Sequence, residues 1–332
     1  MTVPLAHDLP TFADIADAAR ALEGHAVRTP LIEADLLNAE AGRRILVKAE
    51  ALQRTGSFKF RGAYNRIRLI PEADRTKGVI AYSSGNHAQG VALAARLLGA
   101  PATIIMPADA PALKKANTEA YGATVVTYDR WNESREEIGE RLVAETGATL
   151  VRPYDDRHVI AGQGTSGLEI AEECAARGIR PDAVLVCCGG GGLTSGIVLA
   201  LAKRMPGVPV YAVEPAGFDD WRRSLEAGAR VANDPSARSI CDAIVTPTPG
   251  EITWAISATR LAGAVAVSDA EAEDAMRVAF RRLKLVVEPG GAVALAAALS
   301  DRLPGNPRTV VAVASGGNVD ADLYARVIGA DA

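Results

Sequence analysis

This chain is poor in the features that mark several protein classes. It has four cysteines and four histidines among 332 residues, and its formal net charge is −4. Cys174, Cys187, Cys188 and Cys241 show no Cys-x-x-Cys spacing, so they read as small core residues, a usage that fits a reducing cytoplasm. Acidic and basic residues are interspersed, which argues against a basic face for nucleic acid. No apolar run reaches membrane-spanning length, and the N-terminus, with Asp8, Asp14 and Asp17, lacks a signal-like apolar core. A soluble, cytoplasmic protein without nucleic-acid or membrane partners is expected. His7, His25, His158 and the three tryptophans have no spacing that suggests ligation. Repeats, low-complexity tracts and obvious linkers are missing too, although the length allows two domains or one large α/β unit.

What the chain does have is alternation. Short apolar strand candidates at 44–48, 78–81, 102–106, 124–127, 183–188, 208–213 and 309–314 are separated by alanine-rich stretches, and 85–98, 110–120 and 133–145 carry helical periodicity. That pattern predicts a doubly wound α/β fold with largely parallel sheets.

Residues 54–62 read Arg-Thr-Gly-Ser-Phe-Lys-Phe-Arg-Gly and place Lys59 between Phe58 and Phe60. An amine flanked by aromatic surface is costly to charge, which lowers its pKa toward the nucleophilic neutral form. Ser57 is a candidate N-cap, and a helix starting there would disfavour an ammonium further. Such a lysine suits a Schiff base with an aldehyde; the alternative is a helix lysine that snorkels to solvent.

Three further segments each place a small-residue turn after a strand candidate. They are Tyr-Ser-Ser-Gly-Asn-His-Ala-Gln-Gly at 82–90, the glycines Gly189, Gly190, Gly191 and Gly192 after 183–188, and Ala-Ser-Gly-Gly-Asn-Val-Asp at 314–320. Open α/β sheets collect ligands at such strand ends. Four successive glycines let backbone N–H groups converge on an anion, so a phosphate is the expected ligand there. A P-loop is excluded because no Gly-Lys-Ser/Thr follows, and a dinucleotide fingerprint lacks its Gly-x-Gly-x-x-Gly. A plain strand-to-helix turn would not need the entropic cost of four glycines. The N–H groups and hydroxyls of Ser83, Ser84, Gly85, Asn86 and His87 suit a substrate carboxylate, although Ser84 as a simple cap and His87 as a loop residue are the alternatives.

The four segments together resemble the fold type II pyridoxal-phosphate enzymes, in their threonine/serine dehydratase and serine racemase branch. The likeness runs from about Pro30 to the C-terminus, and its motifs stand in the family's order and at about its spacing. It implies an α/β, tryptophan-synthase-β-like architecture of two doubly wound, largely parallel sheets with helices on both faces. A small domain, residues 58–152, would nest in a large cofactor-binding domain, residues 1–57 and 153–332.

The resemblance also implies residue roles. Lys59 bonds the cofactor aldehyde, Phe58 lies against the pyridine ring and Asn86 bonds its phenolic oxygen. Gly189, Gly190, Gly191, Gly192 and Leu193 hold the phosphate, and Ser315 partners the pyridine nitrogen. Lys59 removes the Cα proton on one face, and Ser84 is the acid/base on the other. Glu214, Asp220 and the Phe218 carbonyl fall on the positions of a divalent-cation site for magnesium, calcium or manganese; the alternative is a loop whose carboxylates cap and solvate the strand end. Arg135 reaches the active site and would hold a second carboxylate, unless it is a solvated residue paired with Glu136 or Glu140.

The implied activity is an ammonia-lyase, a dehydratase of L-threonine and L-serine first. Serine racemase and 3-hydroxyaspartate dehydratase are the alternatives, the latter supported by Arg135. β-Replacement enzymes usually read Lys-Asp-Arg and Thr-Ser-Gly-Asn-Thr where this chain has Lys59-Phe60-Arg61 and Ser-Ser-Gly-Asn-His. A non-catalytic pyridoxal-phosphate carrier or a nucleotide-binding module is the reading from a different class. A homodimer is expected. The chain ends about a dozen residues after Ser-Gly-Gly-Asn, which suggests a stand-alone enzyme without a C-terminal regulatory domain.

Overall fold

The computed structural model describes residues 9–110 and 112–330, so His7 and Asp8 lie outside it. Ten strands form two sheets: β1 Leu31–Ile32, β2 Arg44–Ala49, β3 Val79–Tyr82, β4 Ala102–Pro107, β5 Thr124–Tyr128, β6 Thr149–Leu150, β7 Ala183–Cys187, β8 Val210–Pro215, β9 Gly263–Val267 and β10 Thr309–Ala314. The six-stranded sheet runs β1-β2-β10-β7-β8-β9 and the four-stranded sheet β5-β4-β3-β6. Every pairing is parallel except β1 with β2. The strands of the smaller sheet all fall within 58–152, and those of the larger sheet all fall outside that span.

Parallel strands are covered on both faces and therefore read as continuous apolar runs. In β7, Leu185 faces one core with the apolar helix Pro289–Leu299, while Val184 and Val186 face another with helix Gly192–Arg204. β10 repeats this alternation, Val310 and Ala312 on one side and Val311 and Val313 on the other. No helix of the described residues is long and apolar enough to cross a membrane.

Helix positions follow the periodicity closely, at Asn86–Leu97, Ala112–Ala120 and Arg135–Thr146. The strand expected at 208–213 starts two residues later, beyond Pro209, whose ring nitrogen has no hydrogen to give the ladder. β1 and β6 have two residues each, too short for any periodicity to register. β9, Gly-Ala-Val-Ala-Val, gives no strong apolar signal because its side chains are small.

Candidate active site

β10 pairs with β7 and β2, and β3 lies central in the other sheet. The turns that leave β3, β7 and β10 at their carboxyl ends carry Ser84, the glycines and Ser315 in turn. The segment before Lys59 is stitched to the last of these. Ser57 bridges Gly316, Phe58 N–H donates to the Ser315 carbonyl at 3.1 Å, and Gly317 N–H donates to the Gly56 carbonyl at 2.9 Å. Ser57 therefore does not cap a helix: its backbone is extended and its buried hydroxyl has no partner among the described residues. Helix Lys59–Arg68 begins without a side-chain cap. Two residues on, buried Arg61 anchors that helix, its Nε to Glu50 at 2.8 Å and its Nη1 to Glu169 at 2.7 Å. Breaking such a buried pair costs several kcal/mol, roughly 3–5, so the backbone of Lys59 has little freedom.

Lys59 Nζ donates to the Pro153 carbonyl at 2.8 Å and lies 5.2 Å from the centre of the Phe58 ring. Burial pulls its pKa down to about 8, a shift that an ionised Glu288 would oppose. The direction matches the sequence expectation, but only one of the two phenylalanines faces the amine. Phe60 turns into the core of the smaller sheet and packs on Tyr64.

The glycine turn is built as an anion cradle. Its carbonyls are drawn into the protein: Trp221 Nε1 donates to Gly189 O and Thr253 Oγ1 to Gly190 O, each at 2.6 Å. Among the described residues no acceptor meets the N–H groups of Gly189, Gly190, Gly191, Gly192 or Leu193. Buried donors left unmet are costly, and an anion at the helix N-terminus satisfies several together. Side chains are excluded from the turn. A Cβ on Gly190 would come within 2.4 Å of the Tyr154 ring, and Gly191 has φ +94° with the Trp221 ring 2.3 Å from its Cβ position. The cavity beside this turn, about 50 Å³, is lined also by Phe58, Lys59 and Ser315. It adjoins a cleft of about 550 Å³, the size of small-molecule sites generally. Lys59 and Tyr154 line both. A phosphate-bearing aldehyde fits these residues, with phosphate at one end and a deprotonable amine at the other.

Ser83, Ser84, Gly85, Asn86 and His87 line the cleft. Gly85 N–H donates to Ser83 Oγ at 3.2 Å, whereas the N–H groups of Ser84, Asn86 and His87 meet no described acceptor. His87 Nε2 donates to the Val151 carbonyl at 2.9 Å, which leaves Nδ1 buried without a partner among the described residues. Burial, then the Lys59 charge, pushes its pKa down to about 3, so this ring stays neutral and is a poor proton carrier. Arg135 also reaches the cleft, its guanidinium 5.2 Å from the Tyr82 ring centre and its Nε bonded to Glu136 at 2.7 Å. Both partners are half exposed, so the pair is cheap to exchange.

The carboxylates of the candidate metal site lie behind the glycine turn. Glu214 accepts from the N–H groups of Trp221 and Arg222, at 2.8 and 3.0 Å. Asp220 Oδ1 accepts from Asn233 at 2.6 Å, while its buried Oδ2 has no partner among the described residues. Burial and mutual repulsion raise Glu214 well above the carboxylate range, and burial lifts Asp220 to about 6. A divalent cation fits this arrangement, because it would satisfy Oδ2 and offset the repulsion. No cluster of three or more His, Cys, Asp or Glu side chains with metal-binding geometry occurs among the described residues, so backbone oxygens such as that of Phe218 and waters would complete the shell.

The structure adds residues that sequence reasoning passed over. Glu288, Asn318, Tyr154, Lys114 and Arg152 line the cleft. Two had a signal: Asn318 closes the Ser-Gly-Gly-Asn motif, and Glu288 is an isolated charge in Leu-Val-Val-Glu-Pro-Gly-Gly. The others lie in segments without pattern.

Comparison with known proteins agrees with this chemistry. The chain is 46% identical over 320 residues to an L-threo-3-hydroxyaspartate ammonia-lyase of Pseudomonas sp, covering 96% of this chain and 99% of that one. It is 40% identical to a serine racemase of Schizosaccharomyces pombe, covering 96% and 98%. The structure of maize serine racemase superposes with a TM-score of 0.90 at 36% identity, covering 96% and 97%. The family description "Pyridoxal-phosphate dependent enzyme" matches residues 22–316. A glycine turn with unmet N–H groups beside a buried lysine, on this fold, accords with that match: the chain belongs to the fold type II pyridoxal-phosphate dependent enzymes, among their ammonia-lyases and racemases.

Proposed function

We propose that this enzyme is an ammonia-lyase whose preferred substrate is 3-hydroxyaspartate, converted to a 2-oxo acid and ammonia. The observation that carries the reading is Arg135, a guanidinium on the same cleft as Lys59, near the Tyr82 ring and paired with the exposed Glu136. A planar fork of this kind suits a second carboxylate. The likeness to a hydroxyaspartate ammonia-lyase along nearly the whole chain supports it. L-Threonine and L-serine, ranked first by motif alone, remain the second reading, favoured if Glu136 keeps its hold on Arg135.

Lys59, Phe58, Asn86, Ser315 and residues 189–193 would hold pyridoxal phosphate, which supplies an aldehyde for the substrate amine and a ring that draws electrons from Cα. The substrate α-carboxylate is received by the N–H groups of Ser84, Asn86 and His87. Arg135 receives the second carboxylate and so fixes the rotation about Cα–Cβ. Lys59 Nζ takes the Cα proton, and hydroxide leaves from Cβ. Ser315 would offer the ring nitrogen a neutral hydroxyl rather than a carboxylate, a partner that favours elimination over transamination. The released enamine hydrolyses to the 2-oxo acid and ammonia. A coupled assay over L-threo-3-hydroxyaspartate, L-serine and L-threonine tests the reading, and a higher kcat/KM for either neutral substrate defeats it.

Ser84 is the proposed acid/base of the face opposite Lys59. In Ser84→Ala, racemisation of serine is expected to fall on the order of 10²-fold, with dehydration of the L-enantiomer much less affected. Elimination from the L-substrate needs a base on the lysine face alone. Equal losses would assign Ser84 to carboxylate binding instead.

Glu214, Asp220 and the Phe218 carbonyl are the proposed ligands of magnesium, calcium or manganese. The Trp221 side chain, on the residue after Asp220, bonds Gly189 and packs on Gly191, so loss of the ion would loosen the phosphate cradle. Chelation should lower activity and melting temperature together, since an ion at a hundred times its Kd stabilises the fold by about 2.7 kcal/mol. Asp220→Ala should behave like the chelated protein and ignore added metal. Unchanged melting after verified removal of metal would eliminate the site.

A further inference from the structure

Glu288 is a buried carboxyl to which the mechanism above gives no task. It stands just before helix Pro289–Leu299 and is 3% exposed, and it lines the cleft with Lys59. Asn86 Nδ2 donates to its Oε1 at 2.6 Å. Asn86 Oδ1 in turn accepts from Asn318 Nδ2 at 2.7 Å, and Asn318 Nδ2 is also 2.7 Å from the Thr55 carbonyl. These contacts decide which way the Asn86 amide faces: its oxygen meets a donor and its nitrogen an acceptor. One Nδ2 proton is thereby used and the other stays uncommitted. The carboxyl is wedged firmly. Glu288 N–H donates to the Gly316 carbonyl at 3.0 Å, and a Cβ on Gly316 would lie 2.1 Å from Oε1.

We propose that Glu288 is a positioning residue, whose carboxyl oxygen holds the Asn86 amide so that its second Nδ2 proton is reserved for the phenolic oxygen of the cofactor ring. The inference rests on the role proposed for Asn86. The groups facing Glu288 are Asp242, which opposes its ionisation, and Lys114 and Lys59, which favour it. Burial outweighs the Asn86 hydrogen bond and the two cations and raises the carboxyl to about 8, so at neutral pH Asn86 meets a neutral acceptor. A neutral Glu288 also spares Lys59 a counter-ion that would keep it an ammonium.

The test titrates pyridoxal phosphate into the apoproteins of wild type, Asn86→Ala, Glu288→Gln and Glu288→Ala, reading affinity and the position of the visible band. Asn86→Ala and Glu288→Ala should each weaken affinity about tenfold and displace the band, the effect of one lost hydrogen bond. Glu288→Gln keeps a carbonyl acceptor at the same volume and should stay close to wild type. A Glu288→Ala protein that matches wild type while Asn86→Ala is impaired overturns the inference alone. An unimpaired Asn86→Ala overturns the role of Asn86 on which it rests. Glu288→Gln as impaired as Asn86→Ala also overturns the inference, and decides it even if the alanine variant fails to fold. A second readout needs no cofactor. Glu288 holds its proton more tightly in the fold, so its stabilising contribution is full below about pH 4.5 and is lost as pH rises through about 8. The apoprotein melting temperature should decline less steeply over that range in Glu288→Gln, and an unchanged slope overturns the neutral-acceptor assignment.

Discussion

Lys59→Ala is expected to remove the visible absorption of the bound cofactor and the release of ammonia together, with activity falling on the order of 10⁴-fold or more. Of the lysines on this chain, Lys59 joins the phosphate cradle, the cleft and a lowered pKa. Borohydride reduction of the wild type should trap the pyridoxyl group on Lys59. Trapping on exposed Lys203 or Lys284 would show the site assignment to be wrong. A thermal measurement on the apoprotein gives an independent check. The fold depresses the Lys59 pKa from 10.5 to about 8, so the folded state binds fewer protons than the unfolded chain between those values. Stability from this group therefore rises as pH increases from about 8 toward 10.5, and Lys59→Ala should abolish that rise.

Arg135→Ala separates the substrate readings. If hydroxyaspartate is the substrate, the mutation leaves its second carboxylate without its fork, at a cost of about 2–5 kcal/mol. The loss should appear in kcat/KM for hydroxyaspartate and barely in that for serine or threonine. Arg135→Lys should recover only part of it, because a point charge does not replace a bidentate plane. A uniform loss across all three substrates would mean that Arg135 only supports Tyr82 and the cleft wall, and threonine or serine would return as the leading substrate. Glu136→Gln frees the guanidinium from its exposed partner and should leave hydroxyaspartate turnover intact or improved.

Much of this protein was legible before folding, because its chemistry is concentrated in short runs. The strands are continuous apolar stretches, since parallel strands are buried on both faces, and seven of the ten were marked to within two residues. The four glycines and the Ser-Gly-Gly-Asn turn stand out as strand-end turns, and the lysine between two phenylalanines stands out as an amine at a helix start that is costly to charge. Their chemistry also followed locally: desolvation for the amine, converging N–H groups for the anion.

Errors arose where a neighbour in sequence was not a neighbour in space. Ser57 had the composition of a cap, but pairing with Gly316 drew it into an extended bridge. Phe60 adjoins Lys59 in the chain, yet a helix turns successive side chains by about 100°, and its ring went to the core. The effect ascribed to two aromatic rings is produced by one ring and general burial.

The sequence by itself determined the class of fold and the positions of the small-residue turns at the strand ends, because these depend on periodicity and on residues a few positions apart. Only the tertiary structure decided which turns meet. Parallel pairing of β10 with β7 brings Ser315 beside the glycines, and the bridge at Gly316 carries Lys59 to both. It also decided the protonation of the site. The low pKa of His87, the high one of Glu288 and the orphaned oxygen of Asp220 arise from burial among groups far apart in the chain. Asn86 and Glu288 stand 202 residues from each other, a separation no local pattern records.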